Sequence, residues 1–392
     1  MLSGCSNGGG TSNSGTGSGD GKWTPQSIAE KYGTTEFADS WHSLALSIIE
    51  DRATGAQAAA QALGQTYRGI SADFNAVKQL SDVSAAIGTG VKVLNVVPLE
   101  APSVNSFAPQ ACDAKVYFTT SYNSPSWRPP SSYCEYYSAY TGPNDFETGV
   151  ITATKLAEAL KGKGNIVHIT GLKGATSDQL RTAGMESVLS KYPNIKLVRS
   201  VDTDWTGQAA YDKFSSILAT SSEPIDGVIA ADDDLGIGAF NAAKAVGQAP
   251  LIVSSDGTRE VFGVIAANKN YLGTVDTGST FIGGWLVVRA FDALHGFKPT
   301  EAETMMYWPI KWVDKSSAAD SLKAAQNPEW DWAKMSRVLY PDDWNTQGQL
   351  FTTMDPSVVW QTEPEPAGFT MPDGLSKEAR AETDTLYADH QN

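Results

Sequence analysis

Apolar residues recur along this chain in short continuous runs, each followed by a stretch with helical spacing. In the second half the runs are IVHIT (Ile166 to Thr170), KLVRSV (Lys196 to Val201), GVIAA (Gly227 to Ala231), LIVSS (Leu251 to Ser255) and LGTV (Leu272 to Val275). Continuous rather than alternating hydrophobicity marks strands buried on both faces, and strands that alternate with helices make a parallel sheet covered on both sides. The first half repeats the pattern less sharply. Tyr32 to Phe37, Thr66 to Ser71, Val91 to Val97 and Lys115 to Thr120 read as strands, with helices over Lys22 to Lys31, Ser40 to Leu63 and Val77 to Ile87, and a short one containing Pro109. Ser121 to Pro143, rich in Ser, Tyr and Pro, reads as a long ordered loop. Further helices are expected over Phe146 to Leu160, over Phe240 to Val246 with Asp233 or Asp234 as cap, and over Thr280 to Leu294 with Phe281, Trp285, Val288 and Phe291 on one face.

These elements divide the chain into two α/β lobes, each a doubly wound parallel sheet. The expected boundaries are 1–22 for a linker, 23–145 for the first lobe with 278–309 returning to it, 146–277 for the second lobe and 310–392 for an extension. From Glu301 onward the chain holds six of its 11 tryptophans, Trp308, Trp312, Trp330, Trp332, Trp344 and Trp360, with several prolines and no long periodic helix. Such a tail is expected to wrap the lobes. Ligands of open α/β sheets sit outside the carboxyl ends of the strands. This places Gly171 to Arg181, Asp202 to Gln208, Asp232 to Asp234, Asp256-Gly257 and Asp276-Thr277 on one acidic rim with Trp205 among them.

A net charge of −15 argues against nucleic acid and against an anionic lipid surface as partners, since both need clustered Lys and Arg. No run of 18 apolar residues is present. The four histidines are scattered, with no metal-ligand spacing. Leu2-Ser3-Gly4-Cys5 resembles the lipobox of bacterial lipoproteins, with Cys5 as the lipidated residue, and Ser6 to Gly21 is a leash of Gly, Ser, Thr and Asn. An exported chain can pair the other two cysteines, Cys112 and Cys134, in a bridge worth roughly 3 to 4 kcal/mol. The alternative is two buried free thiols.

Several motifs occur in a telling order: GNIVHITG from Gly164, R-x-x-G from Arg181 to Gly184, IDGVIAADD from Ile225 to Asp233, the lone Asp256-Gly257, and IGG from Ile282. Together, over about residues 32 to 313, they resemble a type I periplasmic binding protein, the ribose-binding class of solute receptors for ABC importers. The resemblance implies two lobes joined by three crossovers, near Asn144 to Glu147, Asp276 to Gly278 and Trp308 to Ile310. It implies hinge closure on a small neutral carbohydrate, a monosaccharide or polyol, and delivery to a membrane permease. The receptor would act outside the cytoplasm, anchored through lipid, as a monomer without cofactor, metal or nucleic acid.

A carbohydrate site must satisfy each hydroxyl it desolvates, which charged side chains do best, and aromatic rings cover C–H faces. Arg181 matches the family's sugar-binding arginine; its other reading is a helix arginine paired with Asp178 or Glu186. Trp205 stands where a stacking aromatic is common, Asp232 where Asn or Asp follows a strand, and Asp256 is the foremost candidate, competing only with a role in an Asp-Gly turn. Thr277 replaces a longer Gln or Asn. In the first lobe Asp39 and Trp41 follow the expected first strand, and Trp41 either stacks opposite Trp205 or anchors the long helix to the core. Thr120 and Ser121 stand where the family offers an acid and a base, so contacts from Asn123, Trp127 or Arg128 are expected instead.

A repressor on the same core needs a basic helix-turn-helix, which this acidic chain lacks. An enzyme would need an elbow, a phosphate loop or a metal cluster, and none is legible, although Asp232, Asp233 and Asp256 are capable of acid and base work. A receptor for a nucleoside or signal feeding a sensor is the remaining alternative.

Overall fold

Thirteen strands fall into two sheets in the computed structural model, which describes residues 22–326 and 329–392. Cys5 and the leash lie outside the described residues. In chain order the strands are β1 (Glu36–Trp41), β2 (Thr66–Ser71), β3 (Val93–Val96), β4 (Tyr117–Ser121), β5 (Tyr137–Gly142), β6 (Lys163–Thr170) and β7 (Asn194–Asp202). They continue with β8 (Gly227–Ala230), β9 (Leu251–Asp256), β10 (Tyr271–Asp276), β11 (Met305–Tyr307), β12 (Lys311–Asp314) and β13 (Thr352–Thr353). The first sheet runs β2-β1-β3-β4-β5-β11-β13 and the second β7-β6-β8-β9-β10-β12. Only the edge strands β13 and β12 are antiparallel. The strand order reverses beside β1 and beside β6, so each sheet carries its own switch point.

The chain leaves the first sheet after β5, returns after β10 through the helix Ser279–Leu294, leaves again between β11 and β12, and comes back to pair β13 with β11. The two lobes are built alike around one close helix crossing each. In the first, Ser279–Leu294 crosses Ser47–Ala62, and a Cβ on Gly283 would lie 2.0 Å from the Arg52 carbonyl oxygen. In the second, Asp145–Ala159 crosses Thr176–Leu189, and a Cβ on Gly149 would lie 2.0 Å from the Arg181 carbonyl oxygen. Arg52 and Arg181 therefore occupy matching positions of matching helices.

Several elements depart from the sequence expectation. Gly33, at φ 80°, ends the first helix, Pro25–Tyr32, and β1 starts at Glu36 rather than Tyr32. Asp39 and Trp41 are thus strand residues, and the next helix starts at Ser47 instead of Ser40. The Ser121 to Pro143 segment is not all loop. Its run YSAYTG forms β5, completely buried between β4 and β11, because tyrosines and small polar residues tolerate burial when their hydroxyls are bonded, as Tyr140 is to the Tyr122 carbonyl at 2.9 Å.

The helix Ser279–Leu294 is buried on every side up to Ala293, not on one face. Its outer face is covered by the tail: Trp285 stacks on Phe351 at 4.4 Å, Trp332 lies where a side chain on Gly284 would be, and Asp292 accepts from the Arg337 and Val338 backbone. The tail also holds the helices Ala318–Gln326 and Lys377–Asp389, the second capped by Ser376. That second helix escapes a periodicity reading because it buries few residues, among them Thr383 and Tyr387. Cys112 and Cys134 form a disulfide, with their Cα atoms 6.1 Å apart, that ties the end of the helix Val104–Asp113 to the segment before β5.

Candidate functional site

The carboxyl ends of both sheets face one another across a cavity of about 40 Å³. From the first lobe it is lined by His42 beyond β1, by Leu46, Ile48 and Ile49 around the start of the next helix, by Val97 beyond β3 and by Tyr122 beyond β4. The second lobe contributes Ser177, Arg181, Trp205, Asp232 and Asp256. Of these, Tyr122 (φ 63°), Trp205 (φ 70°) and Asp256 (φ 119°) have backbone that L side chains seldom adopt. Such residues persist where the surroundings over-determine them, and functional sites are where they gather.

Arg181 is buried and its guanidinium is largely committed. Nε donates to Asp145 at 2.7 Å, Nη1 to Ser255 Oγ at 2.9 Å and to the Ala231 carbonyl, and Nη2 to Asp256 Oδ1 at 3.1 Å. One Nη2 proton is left for a guest. Neither Asp178 nor Glu186 is its partner; Asp178 instead accepts from the Gly171 amide at 2.8 Å.

Asp256 is fixed from behind as well. Its carbonyl accepts from the Thr277 amide and the Thr277 hydroxyl, both at 3.0 Å. Burial pushes its carboxyl up to about 7, with Arg181 pulling the other way. Asp232 is pushed well above the ordinary carboxylate range by burial, then by Asp234 and Asp256. Asp232 and Asp256 thus bring two carboxyl groups, both raised by burial, into one dry cavity. Trp205 lies against Gly171, where a Cβ would meet the indole at 2.1 Å, and its Nε1 has no hydrogen-bond partner among the described residues.

The three adjacent aspartates divide the local work. Asp232, not Asp233 or Asp234, caps the helix Asp233–Ala245 by accepting from the Leu235 amide at 2.7 Å. Asp233 knits β9 and β10 through Ser254 Oγ at 2.5 Å, Thr274 Oγ1 at 2.7 Å and the Thr258 amide at 2.8 Å. Asp234 reaches across the cleft to Ser47, accepting from its hydroxyl at 2.8 Å and its amide at 3.2 Å. Two further links hold the lobes closed: Asn123 Oδ1 accepts from the Thr176 amide at 2.8 Å, and Asp51 pairs with Arg259, whose amide is 3.1 Å away.

The cavity thus gathers Arg181, Trp205, Asp232 and Asp256 but not the other five candidates. Thr277 stands behind Asp256. Asn123 spends both ends of its amide, on Thr176 and on the Pro98 carbonyl at 2.6 Å. Ser121 and Trp41 surround Arg52 below the cavity floor, Ser121 Oγ at 3.4 Å from Nη2 and the Trp41 ring 4.8 Å from the guanidinium. Trp41 therefore does not stack opposite Trp205. Asp39, inside β1, accepts from the Tyr67 hydroxyl at 3.3 Å and is pushed up to about 7 by burial against the pull of Arg52. Trp127 and Arg128 turn away, the first to Trp360 and Phe369, the second to Asn105. The residues that sequence reasoning passed over, Leu46, Ile48, Ile49, Val97 and Tyr122, share one signal: each follows a strand end or opens a helix, the positions that doubly wound folds turn toward ligand.

Residues 42–297 match the periplasmic binding protein domain family. A xylitol-binding protein of Mycolicibacterium smegmatis is 29% identical over 211 residues, 52% of this chain and 56% of that protein. A D-apiose import binding protein of Actinobacillus succinogenes is 30% identical over 132 residues, 33% of this chain and 42% of the relative. The chain thus spans about half the length of the curated relatives it matches. Among solved structures, a twin-arginine translocation pathway signal protein from Burkholderia phytofirmans is 27% identical with a TM-score of 0.72, over 76% of this chain and 95% of that one. An ABC transporter periplasmic solute binding protein from Actinobacillus succinogenes 130z, solved with D-allose, shares the fold at a TM-score of 0.66 and 21% identity, over 73% and 99% of the two chains.

Proposed function

Because the chain belongs to the periplasmic binding protein domain family, we propose that it is the solute receptor of an ABC importer, capturing a small sugar or polyol between its lobes. The observation that carries this reading is the convergence of Arg181, Asp232, Asp256 and Trp205 on one cavity closed by inter-lobe bonds. One guanidinium proton supplies a charge-assisted bond to a hydroxyl, two carboxyl groups supply further hydrogen bonds, and the indole supplies a surface for C–H faces. Thr277 acts at one remove, by holding the Asp256 backbone. The xylitol- and apiose-binding relatives favour the same ligand class. The receptor works outside the cytoplasm, hands its load to a permease and carries out no reaction on it.

Trp205 makes the test direct. Titration with pentoses, hexoses and C4 to C6 polyols, followed by intrinsic fluorescence, is expected to give a saturable change with one of them and a matching rise in melting temperature. A response to nucleosides alone would replace this reading with the sensor alternative.

A further inference from the structure

The two walls of the cavity differ in kind. The second lobe presents Arg181, Asp232, Asp256 and Ser177 beside Trp205, whereas the first presents Leu46, Ile48, Ile49 and Val97. The side-chain polar atoms that the first wall can add are the Tyr122 hydroxyl and one nitrogen of His42, whose Nε2 is bound to the Pro98 carbonyl at 3.0 Å.

The matching arginines sharpen the contrast. Arg181 is held by two carboxylates and keeps a proton for the cavity. Arg52 has a serine, Ser121, at the strand end where Arg181 has Asp256, and its guanidinium is enclosed by the rings of Trp41, Tyr122 and Trp308 at 4.8, 5.4 and 5.3 Å. Aromatic faces stabilise the buried cation, and the raised carboxyl of Asp39 is the acidic group that feels its pull. The guanidinium Nε and Nη1 have no hydrogen-bond partner among the described residues, but Arg52 is fully buried and lies outside the residues that line the cavity, so with the lobes closed its charge is not offered to a guest.

A hydroxyl pressed against the aliphatic wall loses its bond to water and gains none from protein. A methyl or methylene in the same place is buried favourably. We infer that the ligand is a deoxy or methyl-bearing carbohydrate, an inference that rests on the receptor reading above. Its hydroxyls run along the edge that meets Arg181, Asp232 and Asp256, and a hydroxyl-free face meets Leu46, Ile48, Ile49 and Val97.

Calorimetric titration of the whole protein with matched pairs tests this: L-fucose against L-galactose, D-fucose against D-galactose, L-rhamnose against L-mannose, 6-deoxy-D-glucose against D-glucose, and the corresponding alditols. The tightest binder is expected to be a deoxy member, at least tenfold tighter than its hydroxylated parent. In Val97→Thr, which places a hydroxyl in the wall, that ratio is expected to fall at least threefold, a comparison within one variant that a modest loss of stability from the buried hydroxyl does not move. A fully hydroxylated sugar or polyol such as xylitol binding as tightly as any deoxy compound overturns the inference and leaves the receptor reading standing. Silence toward every compound of both kinds removes the receptor reading and this inference with it.

Discussion

Arg181 is buried together with Asp145 and Asp256, so its effect on the protein is set by what its removal leaves behind. In Arg181→Ala two carboxyl groups stay in a dry site without their cation, a situation that costs about 3 to 5 kcal/mol. Urea unfolding is expected to show a loss of that size and calorimetry no ligand binding. Arg181→Lys keeps the charge but cannot span Asp145, Ser255 and Asp256 with one fork. Affinity should drop at least tenfold with a smaller loss of stability; a lysine variant that binds and unfolds like the parent would mean that charge alone matters. Gly171 tests the indole. An added Cβ there meets the Trp205 ring at 2.1 Å, so Gly171→Ala must displace the ring. Ligand affinity is expected to fall at least tenfold while far-ultraviolet circular dichroism stays unchanged, and unaltered affinity would take Trp205 out of the site.

The helix Ser47–Ala62 begins without a cap of its own, because Leu46 has no side-chain acceptor, and Asp234 of the opposite lobe fills the role through the Ser47 hydroxyl and amide. Its cap exists only while the lobes are shut. Asp234→Ala is therefore expected to weaken ligand binding about three- to tenfold through faster release, as stopped-flow dissociation would show, with little change in the melting temperature of the ligand-free protein. An equal drop in ligand-free stability would mean that the cap belongs to folding instead of closure. The same stretch shows why one wall of the site was legible and the other was not. β6, β8, β9 and β10 are largely apolar runs followed by Thr170, Asp232, Asp256 and Asp276, so strand ends and candidate ligands coincide in the sequence, whereas β7 is a largely exposed edge strand and not the doubly buried one its sequence suggested. β1 mixes Asp39 and Ser40 with Phe37 and Trp41, and its displacement toward Trp41 moved these candidates from the rim into the sheet. Leu46, Ile48 and Ile49 carry the same aliphatic signature whether they fill a core or line a cavity. Only the arrangement of the opposite lobe tells these apart.

Across the whole molecule, folding buries more carboxyl groups than it provides cations to pair them. Burial pushes Asp39 and Asp256 up to about 7 and Asp178 and Asp292 to about 6, and raises Asp51, Asp145, Asp232, Asp233, Asp234 and Asp276 as well. A carboxyl group whose value is higher in the folded than in the unfolded chain holds an extra proton when folded. Its stabilising contribution is complete below about pH 4 and is lost as pH rises through the folded value. His168 works in the other direction: burial lowers it to about 4, so its penalty for charging disappears as pH rises toward 6.5, and His42 and His295 are lowered too. Glu303, Asp314 and Asp355, lowered in the fold, favour higher pH only near or below their ordinary range. Between pH 5 and 7.5 the raised carboxyl groups outnumber the histidines, and the net charge of −15 adds repulsion of the same sign. The ligand-free protein is therefore expected to melt at a higher temperature at pH 5 than at pH 7.5, falling from pH 5 onward and easing as Asp39 and Asp256 ionise near pH 7. Asp39→Asn and Asp256→Asn should each flatten that slope. A melting temperature that climbs steadily from pH 5 to 7.5 would mean that these groups are already ionised in the folded protein. The second-lobe wall would then meet its ligand with carboxylates that accept only.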